Sequence, residues 1–283
     1  MLSTYLSFIR FSHSVFALPF ALTGALLAAR RHPTSWVQVA WIVVAMVAAR
    51  SAAMGFNRLV DAEYDGRNPR TAMREIPRGL ISRPSAALFV AVSAAIFVGA
   101  AAQLGWICFA LSPVALGIVF WYSLAKRYTA YTQAFLGLAM AVAPVGGWLA
   151  AGGPIDALEP WLLGLAIGLW VGGFDVLYAC QDLEFDRAHG LQSIPTRFGV
   201  PRSLTISRTM HVVTVVVMAI LGQVSSLGPV YLIGVGLVAL LLIYEQSLVS
   251  ATDLSQVKRA FDLNGYVGIL YLATTAMAVY LAP

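Results

Sequence analysis

The sequence predicts an all-α, polytopic membrane protein of about nine transmembrane helices, and three observations carry that prediction. First, only 11% of the 283 residues are charged and 59% are hydrophobic, with a mean hydropathy of +0.79, whereas a soluble chain carries about 25% charge. Second, the apolar residues fall in runs of roughly 17 to 22, the length an α-helix needs to cross a bilayer. Third, the basic residues gather on alternate segments between those runs, as short cytoplasmic loops require. The same composition excludes a disulfide scaffold, a disordered chain and a nucleic-acid binder. The net charge of +5 is spread over loops and not collected into one basic face.

The runs lie at about 14–29, 35–56, 85–103, 105–122, 133–151, 160–180, 205–224, 227–249 and 264–282. The first follows Arg10 and ends in small residues, as a signal peptide does. It continues past Pro19 to Arg30 and Arg31, however, and further spans follow, so it reads as the first helix. With the N-terminus inside, fifteen of the eighteen Lys and Arg fall on the cytoplasmic side; only Arg30 and Arg31 lie opposite, and Arg50 sits inside the second run. The expected placement is therefore a multi-pass protein of the inner or plasma membrane, with cytoplasmic N-terminus and active site. Two of the cytoplasmic segments, 57–84 and 181–204, are longer and more charged than connectors need, and chemistry is expected there. Cys108 and Cys180 lie in apolar runs and read as small buried hydrophobes. Gly146-Gly147 and Gly172-Gly173 permit either close helix approach or local unwinding.

The second run ends in Asn57-Arg-Leu-Val-Asp61-Ala-Glu-Tyr-Asp65, an amide and two carboxylates at four-residue spacing. Each such step rotates by about 40°, so the three side chains climb one helix face over roughly 12 Å. Arg50 lies within about 20° of Asn57 on that wheel. A charge at membrane depth costs roughly 2.5–3.5 kcal/mol on insertion scales, so Arg50 is expected to face a central cavity. The sixth run ends similarly, in Asp175-Val-Leu-Tyr178-Ala-Cys-Gln-Asp182-Leu-Glu-Phe-Asp186. If the helix persists, Asp175, Asp182 and Asp186 share about 40° of arc. Taken alone, either cluster is equally a solvated helix end, and Arg50 with Asp175 equally a buried pair. Taken together, both clusters follow a membrane helix on one side and precede arginines and an Ile-Pro step, Ile76-Pro77 and Ile194-Pro195. Such oxygen ligands suit Mg²⁺, which is commonly shared between carboxylates and substrate phosphates.

The stretches NRLVDAEYDGRNPRTAMREIPRG and DVLYACQDLEFDRAHGLQSIPTRFG, four spans apart, resemble the two aspartate-rich motifs of the UbiA superfamily of intramembrane prenyltransferases. WYSLAKRYTAYTQAFLG resembles the family's Tyr-x-x-x-Lys-Arg segment, which here runs from Tyr122 to Lys126 and Arg127. The resemblance covers essentially the whole chain, so residues 1–283 are expected to form a single transmembrane prenyltransferase domain of the UbiA type. One departure stands out: many members carry Asn-Asp at the start of the first motif, and this chain has Arg58 at the second position.

The resemblance implies that an allylic polyprenyl diphosphate binds through Mg²⁺ to Asn57, Asp61 and Asp65 on one side and to Asp182 and Asp186 on the other. Arg70, Arg74, Lys126 and Arg127 are the cations placed to share the diphosphate charge, with Tyr122, Tyr178 and Asp175 beside them. The positive-inside bias by itself accounts equally well for Arg70 and Lys126, and better for Arg83. The second motif resembles both the 4-hydroxybenzoate and the hydroxynaphthoate branches, of ubiquinone and menaquinone synthesis; RFSHSVFALPF and ARSAAMGFNR look closest to the latter. Both acceptors are aromatic carboxylates, which a buried Arg50, with Arg10, would suit. Another acceptor (haem, a chlorophyllide or a glycerol phosphate lipid) is the alternative within the superfamily. A secondary transporter is the alternative outside it; it needs ionisable groups at the bilayer midplane, whereas most of these lie at span ends. His13 and His189 lack metal-ligand spacing. Tail length and oligomeric state are not legible, and no tail-lining residue stands apart from ordinary helix packing.

Overall fold

The computed structural model describes residues 2–9 and 17–281, and of Leu2, Ser3 and Leu6 the backbone alone. Arg10, His13 and residues 14–16 of the first expected span lie outside the described residues. The described chain is all helix: α1 (Leu2–Phe8), α2 (Leu18–Ala29), α3 (Trp36–Arg67), α4 (Arg83–Gln103), α5 (Trp106–Ala125), α6 (Thr132–Ala150), α7 (Glu159–Ala179), α8 (Leu183–Ala188), α9 (Ile194–Val224), α10 (Gly228–Ser247) and α11 (Val257–Leu281). Among the described residues eight helices are long and apolar enough to cross a membrane, α7 together with its extension to Ala188 counting as one; α2 is apolar but spans 12 residues. At 1.5 Å per residue α2 rises only about 18 Å. It starts at Leu18 because Pro19 is tolerated in a first turn, where no backbone N–H is missed.

The sequence placed the ends of two helices too early or too late. The helix of the second run continues eleven residues past its apolar part, to Arg67, and so carries the whole first motif on a rigid rod. The helix of the seventh run begins at Ile194, capped by Ser193, whose hydroxyl accepts from the Thr196 amide while the Thr196 hydroxyl accepts from the Ser193 amide at 2.7 Å. It breaks at Gly199, where φ is +76°, before Pro201 resumes the turn towards the membrane.

The helices form a ring in the order α3, α4, α5, α6, α7, α9, α10, α11 and α2, which returns to α3. Outward-facing Leu88, Val212 and Ile243 are exposed, the arrangement of a protein whose surrounding solvent is lipid. Small residues set the closest crossings. A Cβ on Gly24 would run into the Pro144 carbonyl oxygen, and one on Gly147 into that of Ala21, so α2 and α6 touch backbone to backbone. Gly172 and Gly173 likewise admit neighbouring side chains, Met210 and His211, with α7 unbroken; close approach, not unwinding, is their use. Helix α1, which periodicity did not reveal, and the turn that follows it bury Phe8 and Ile9 against Ile81 and Ala86 beside the first motif.

Candidate active site

Both aspartate-rich segments open into one polar cavity of about 210 Å³ at the same end of the ring. Its lining includes Asn57, Asp61 and Asp65 from α3; Tyr122 and Lys126 from the end of α5; and Asp175, Tyr178, Asp182 and Asp186 from α7 and its extension. The second segment is not one continuous α-helix. After Ala179 the chain tightens into a 3-10 turn over Cys180–Asp182 and then forms α8, so the expected 40° arc for Asp175, Asp182 and Asp186 does not apply. The three carboxylates still line the one cavity.

The candidate cations are engaged with the candidate ligands. Lys126 Nζ donates to Asp61 Oδ2 at 2.6 Å, and Arg127 Nη2 donates to Asp61 Oδ1 at 3.1 Å and to the Val60 carbonyl at 2.7 Å. Asn57 Nδ2 adds a longer bond to Asp61 at 3.3 Å. Arg74 Nη1 reaches both oxygens of Asp65, at 2.6 and 2.7 Å. Arg70, in the turns after α3, crosses to the other segment: its Nε and Nη2 grip Asp182 at 3.1 and 2.5 Å, and its Nη1 donates to the Tyr178 hydroxyl at 2.7 Å. Burial alone would lower the Arg70 guanidinium, but the Asp182 carboxylate and Tyr178 outweigh it and push its pKa up. Asp175 and Asp186 have no ion pair among the described residues.

Three buried guanidinium Nε groups, of Arg50, Arg74 and Arg127, find no acceptor among the described residues. Each is a donor kept from water, a condition that an anion relieves. Arg50 stands near Tyr122 and forms no ion pair with Asp175, which removes the buried-pair reading of those two residues. Arg58 turns away from the cavity: it is 4% exposed, and its Nε donates to the Phe8 carbonyl on α1. One residue past Asn57 is about 100° around the helix, so the departure at position 58 lies off the site. Arg127 meets Asp61 without lining the cavity, Arg83 is exposed at the start of α4, and His189 stacks on Phe185 and bonds its carbonyl.

Sequence reasoning missed Tyr64 and Gln133. The Tyr64 ring lies 5.9 Å from Lys126 Nζ and 5.6 Å from the Arg127 guanidinium carbon. Its place within the Asp61–Asp65 stretch is a signal that could have found it. Gln133, 3% exposed at the start of α6, accepts from the Ile194 amide at 3.1 Å and thereby ties the second segment to α6. No local pattern marks it, since the bond spans 61 residues.

Among the described residues no three His, Cys, Asp or Glu side chains converge tightly enough to hold an ion unaided. Mg²⁺ does not require that: one or two carboxylates suffice when waters and phosphates complete the shell. The five lining carboxylates, Asp61, Asp65, Asp175, Asp182 and Asp186, outnumber the three lining cations, Arg70, Arg74 and Lys126. Oxygen donors with surplus negative charge are the donor set a hard divalent cation takes, so the residues fit it.

A profile of the UbiA prenyltransferase family matches residues 17–273. The chain belongs to that family. Among its relatives, a 4-hydroxybenzoate octaprenyltransferase from Vibrio parahaemolyticus is 31% identical over 249 residues, covering 87% of this chain and 86% of the relative. A solved apo structure of a UbiA homologue from Aeropyrum pernix K1 superposes with a TM-score of 0.85 at 36% identity, over 93% of this chain and 96% of that one. A UbiA homologue from Archaeoglobus fulgidus, solved with GPP and Mg²⁺, shares the fold at a TM-score of 0.72 and 18% identity, covering 98% and 99% of the two chains. This UbiA protein is therefore a membrane-embedded polyprenyltransferase, and the transporter alternative falls.

Proposed function

We propose that residues 1–283 act as one catalytic unit that transfers a polyprenyl group from an allylic diphosphate to an aromatic carboxylate in quinone biosynthesis. The acceptor is 4-hydroxybenzoate or a hydroxynaphthoate. The observation that carries this reading is the meeting of two carboxylate-bearing segments across one cavity, with a Lys or Arg on each of Asp61, Asp65 and Asp182. The Vibrio relative named for 4-hydroxybenzoate and the Archaeoglobus homologue holding GPP and Mg²⁺ support it.

Mg²⁺, when bound, supplies charge stabilisation to the departing diphosphate. Asn57, Asp61 and Asp65 would hold it on one side, and Asp182 and Asp186 on the other. Arg70, Arg74 and Lys126, which line the cavity, would exchange partners, leaving their carboxylates for diphosphate oxygens, while Arg127 keeps its hold on Asp61 and the Val60 carbonyl. Charge is compensated before and after this exchange, so the site is pre-organised without isolating a buried ion. The C1–O bond breaks with its electron pair passing to the diphosphate, and the acceptor ring supplies the pair that forms the new C–C bond. The displaced ring proton goes to Asp175, a lining carboxylate with no ion-pair partner among the described residues. Arg50, with its orphaned Nε, holds the acceptor carboxylate. Tyr122, which interacts with Arg50, lines the same cavity, and the Tyr178 hydroxyl steadies Arg70. The positive-inside bias orients this face to the cytoplasm of an inner or plasma membrane.

The test is prenyl transfer by purified protein in detergent with farnesyl or geranylgeranyl diphosphate. Mg²⁺ is compared with an EDTA control, and 4-hydroxybenzoate competes with 6-carboxylated naphthoquinols. A Mg²⁺-dependent prenylated product with one of them is expected and identifies the acceptor; Mg²⁺-dependent diphosphate release with neither product removes the carboxylate-acceptor assignment. Arg50→Ala is expected to raise the acceptor KM about tenfold or more while leaving the diphosphate KM within a few-fold. An unchanged acceptor KM would sink the clamp.

A further inference from the structure

Behind the cavity wall, α7, α9 and α10 share a chain of buried and half-buried polar side chains that the reaction does not use. Gln246, near the end of α10, is its hub: Nε2 donates to Ser207 Oγ at 2.8 Å and to His211 Nδ1 at 3.0 Å, both on α9. Ser207 passes its hydrogen to the Gly173 carbonyl at 2.7 Å, and His211 Nε2 meets the Trp170 carbonyl at 3.2 Å, both on α7. A single assignment of hydrogens satisfies all four bonds. The two carbonyls can only accept, so Ser207 Oγ and His211 Nε2 must donate to them. That leaves Ser207 Oγ and a bare His211 Nδ1 as acceptors, and the amide NH₂ of Gln246 has one hydrogen for each. Gly173 is what admits the ring, because a Cβ there would stand 2.5 Å from His211 Cδ2. One turn further along, Thr214 Oγ1 bonds the Ala166 carbonyl at 3.3 Å.

These contacts bear on the site because of where they grip α7. Gly173 lies two residues before Asp175 and five before Tyr178, on the helix that leads into Asp182. From another side Asn264 Oδ1 accepts from Trp170 Nε1 at 2.8 Å, and Phe261 packs on Phe174 and Tyr178. Apolar ridges alone allow small slides and rotations between helices. Carbonyl contacts do not, since moving α7 by one residue shifts it 1.5 Å and turns it 100°, presenting different acceptors and breaking the chain of bonds. We propose that Gln246, acting through Ser207 and His211, is a positioning residue that sets the depth and rotation of α7, and so the geometry in which Asp175 and Asp182 face Asp61 and Asp65. This rests on the proposed assignment of Asp61, Asp65 and Asp182 to the metal–diphosphate site and of Asp175 to the ring proton.

The test measures binding of farnesyl thiodiphosphate, a diphosphate analogue that resists transfer, to the full chain in detergent by calorimetry with and without Mg²⁺, alongside the acceptor KM. Gln246→Met and His211→Leu are expected to weaken Mg²⁺-dependent binding about tenfold, the loss of one or two interhelical hydrogen bonds. His211→Gln keeps an N–H and an oxygen at the right reach and is expected to bind within about threefold of wild type. The acceptor KM should stay within about twofold throughout. Wild-type binding by Gln246→Met would overturn the proposal, as would equal damage from His211→Gln and His211→Leu, or a matching loss of acceptor affinity. Should His211→Leu fail to fold, Ser207→Ala decides, with about a threefold loss expected and none overturning the idea. Binding by wild type that ignores Mg²⁺ would instead remove the metal assignment, and it would be visible before any variant is made.

Discussion

Asp61 is held by three side chains from two segments, Asn57, Lys126 and Arg127, and Asp182 by the forked grip of Arg70. Asp61→Asn and Asp182→Asn keep the shape of these groups and remove the charge. Each is expected to lower the transfer rate by about 10²-fold or more while the protein still inserts and unfolds cooperatively on heating in detergent. Wild-type turnover by either variant would remove the metal-bridge account. Arg70→Lys preserves a positive charge but not the fork or the bond to Tyr178, so the diphosphate KM should rise about fivefold. The raised pKa of Arg70 also has a consequence. A cation whose folded pKa lies above its free value contributes fully below that free value and is lost only as pH rises through the folded one. Arg70 therefore stays charged across the assay range, and any alkaline loss of rate between about pH 7 and 9, below the range in which a lysine titrates, should persist unchanged in Arg70→Lys. The residue identities were legible: Asn57, Asp61 and Asp65 stand at helical spacing in plain view. Their partners were not, because an Asp61–Lys126 contact spans 65 residues and nothing local encodes it.

Helices meet here at glycines that differ sharply in what surrounds them. Gly147 lies backbone to backbone with Ala21, while a Cβ placed on its neighbour Gly146 would meet nothing within 4 Å. Gly147→Ala is expected to cost about 1–3 kcal/mol, by forcing α2 and α6 apart. Gly146→Ala should be neutral or stabilising by up to about 1 kcal/mol, since alanine is the better helix former. Thermal unfolding of the two variants in detergent separates these outcomes. From sequence the pair were indistinguishable, as were Gly172 and Gly173. Composition marks where a helix can approach closely, but the facing partner is a property of the packed ring. The same limit explains the helix ends. Apolar runs report the lipid-embedded length, and both α3 and α9 continue as helix beyond it on capping and charge, to which a hydropathy count is blind.

For the whole molecule, the Arg-rich turns after α3 and the segment after α7 stand at one end of the ring, around the cavity mouth. With Met73, which is 70% exposed in those turns, replaced by cysteine, a membrane-impermeant maleimide should label the protein in inverted vesicles and not in intact cells. The reverse pattern would invert the proposed topology.

Class, span number within one, and the two aspartate segments followed from sequence alone, because a bilayer imposes a fixed length and a charge bias that each segment must satisfy by itself. Tertiary structure decided the rest. It brought the two segments to a single cavity and paired each diphosphate-binding candidate with a carboxylate. It turned Arg58 towards α1, and it set α7 against Ser207 and His211. Those outcomes depend on the rotation of one helix against another, which is fixed by side chains dozens of residues apart and has no local signature.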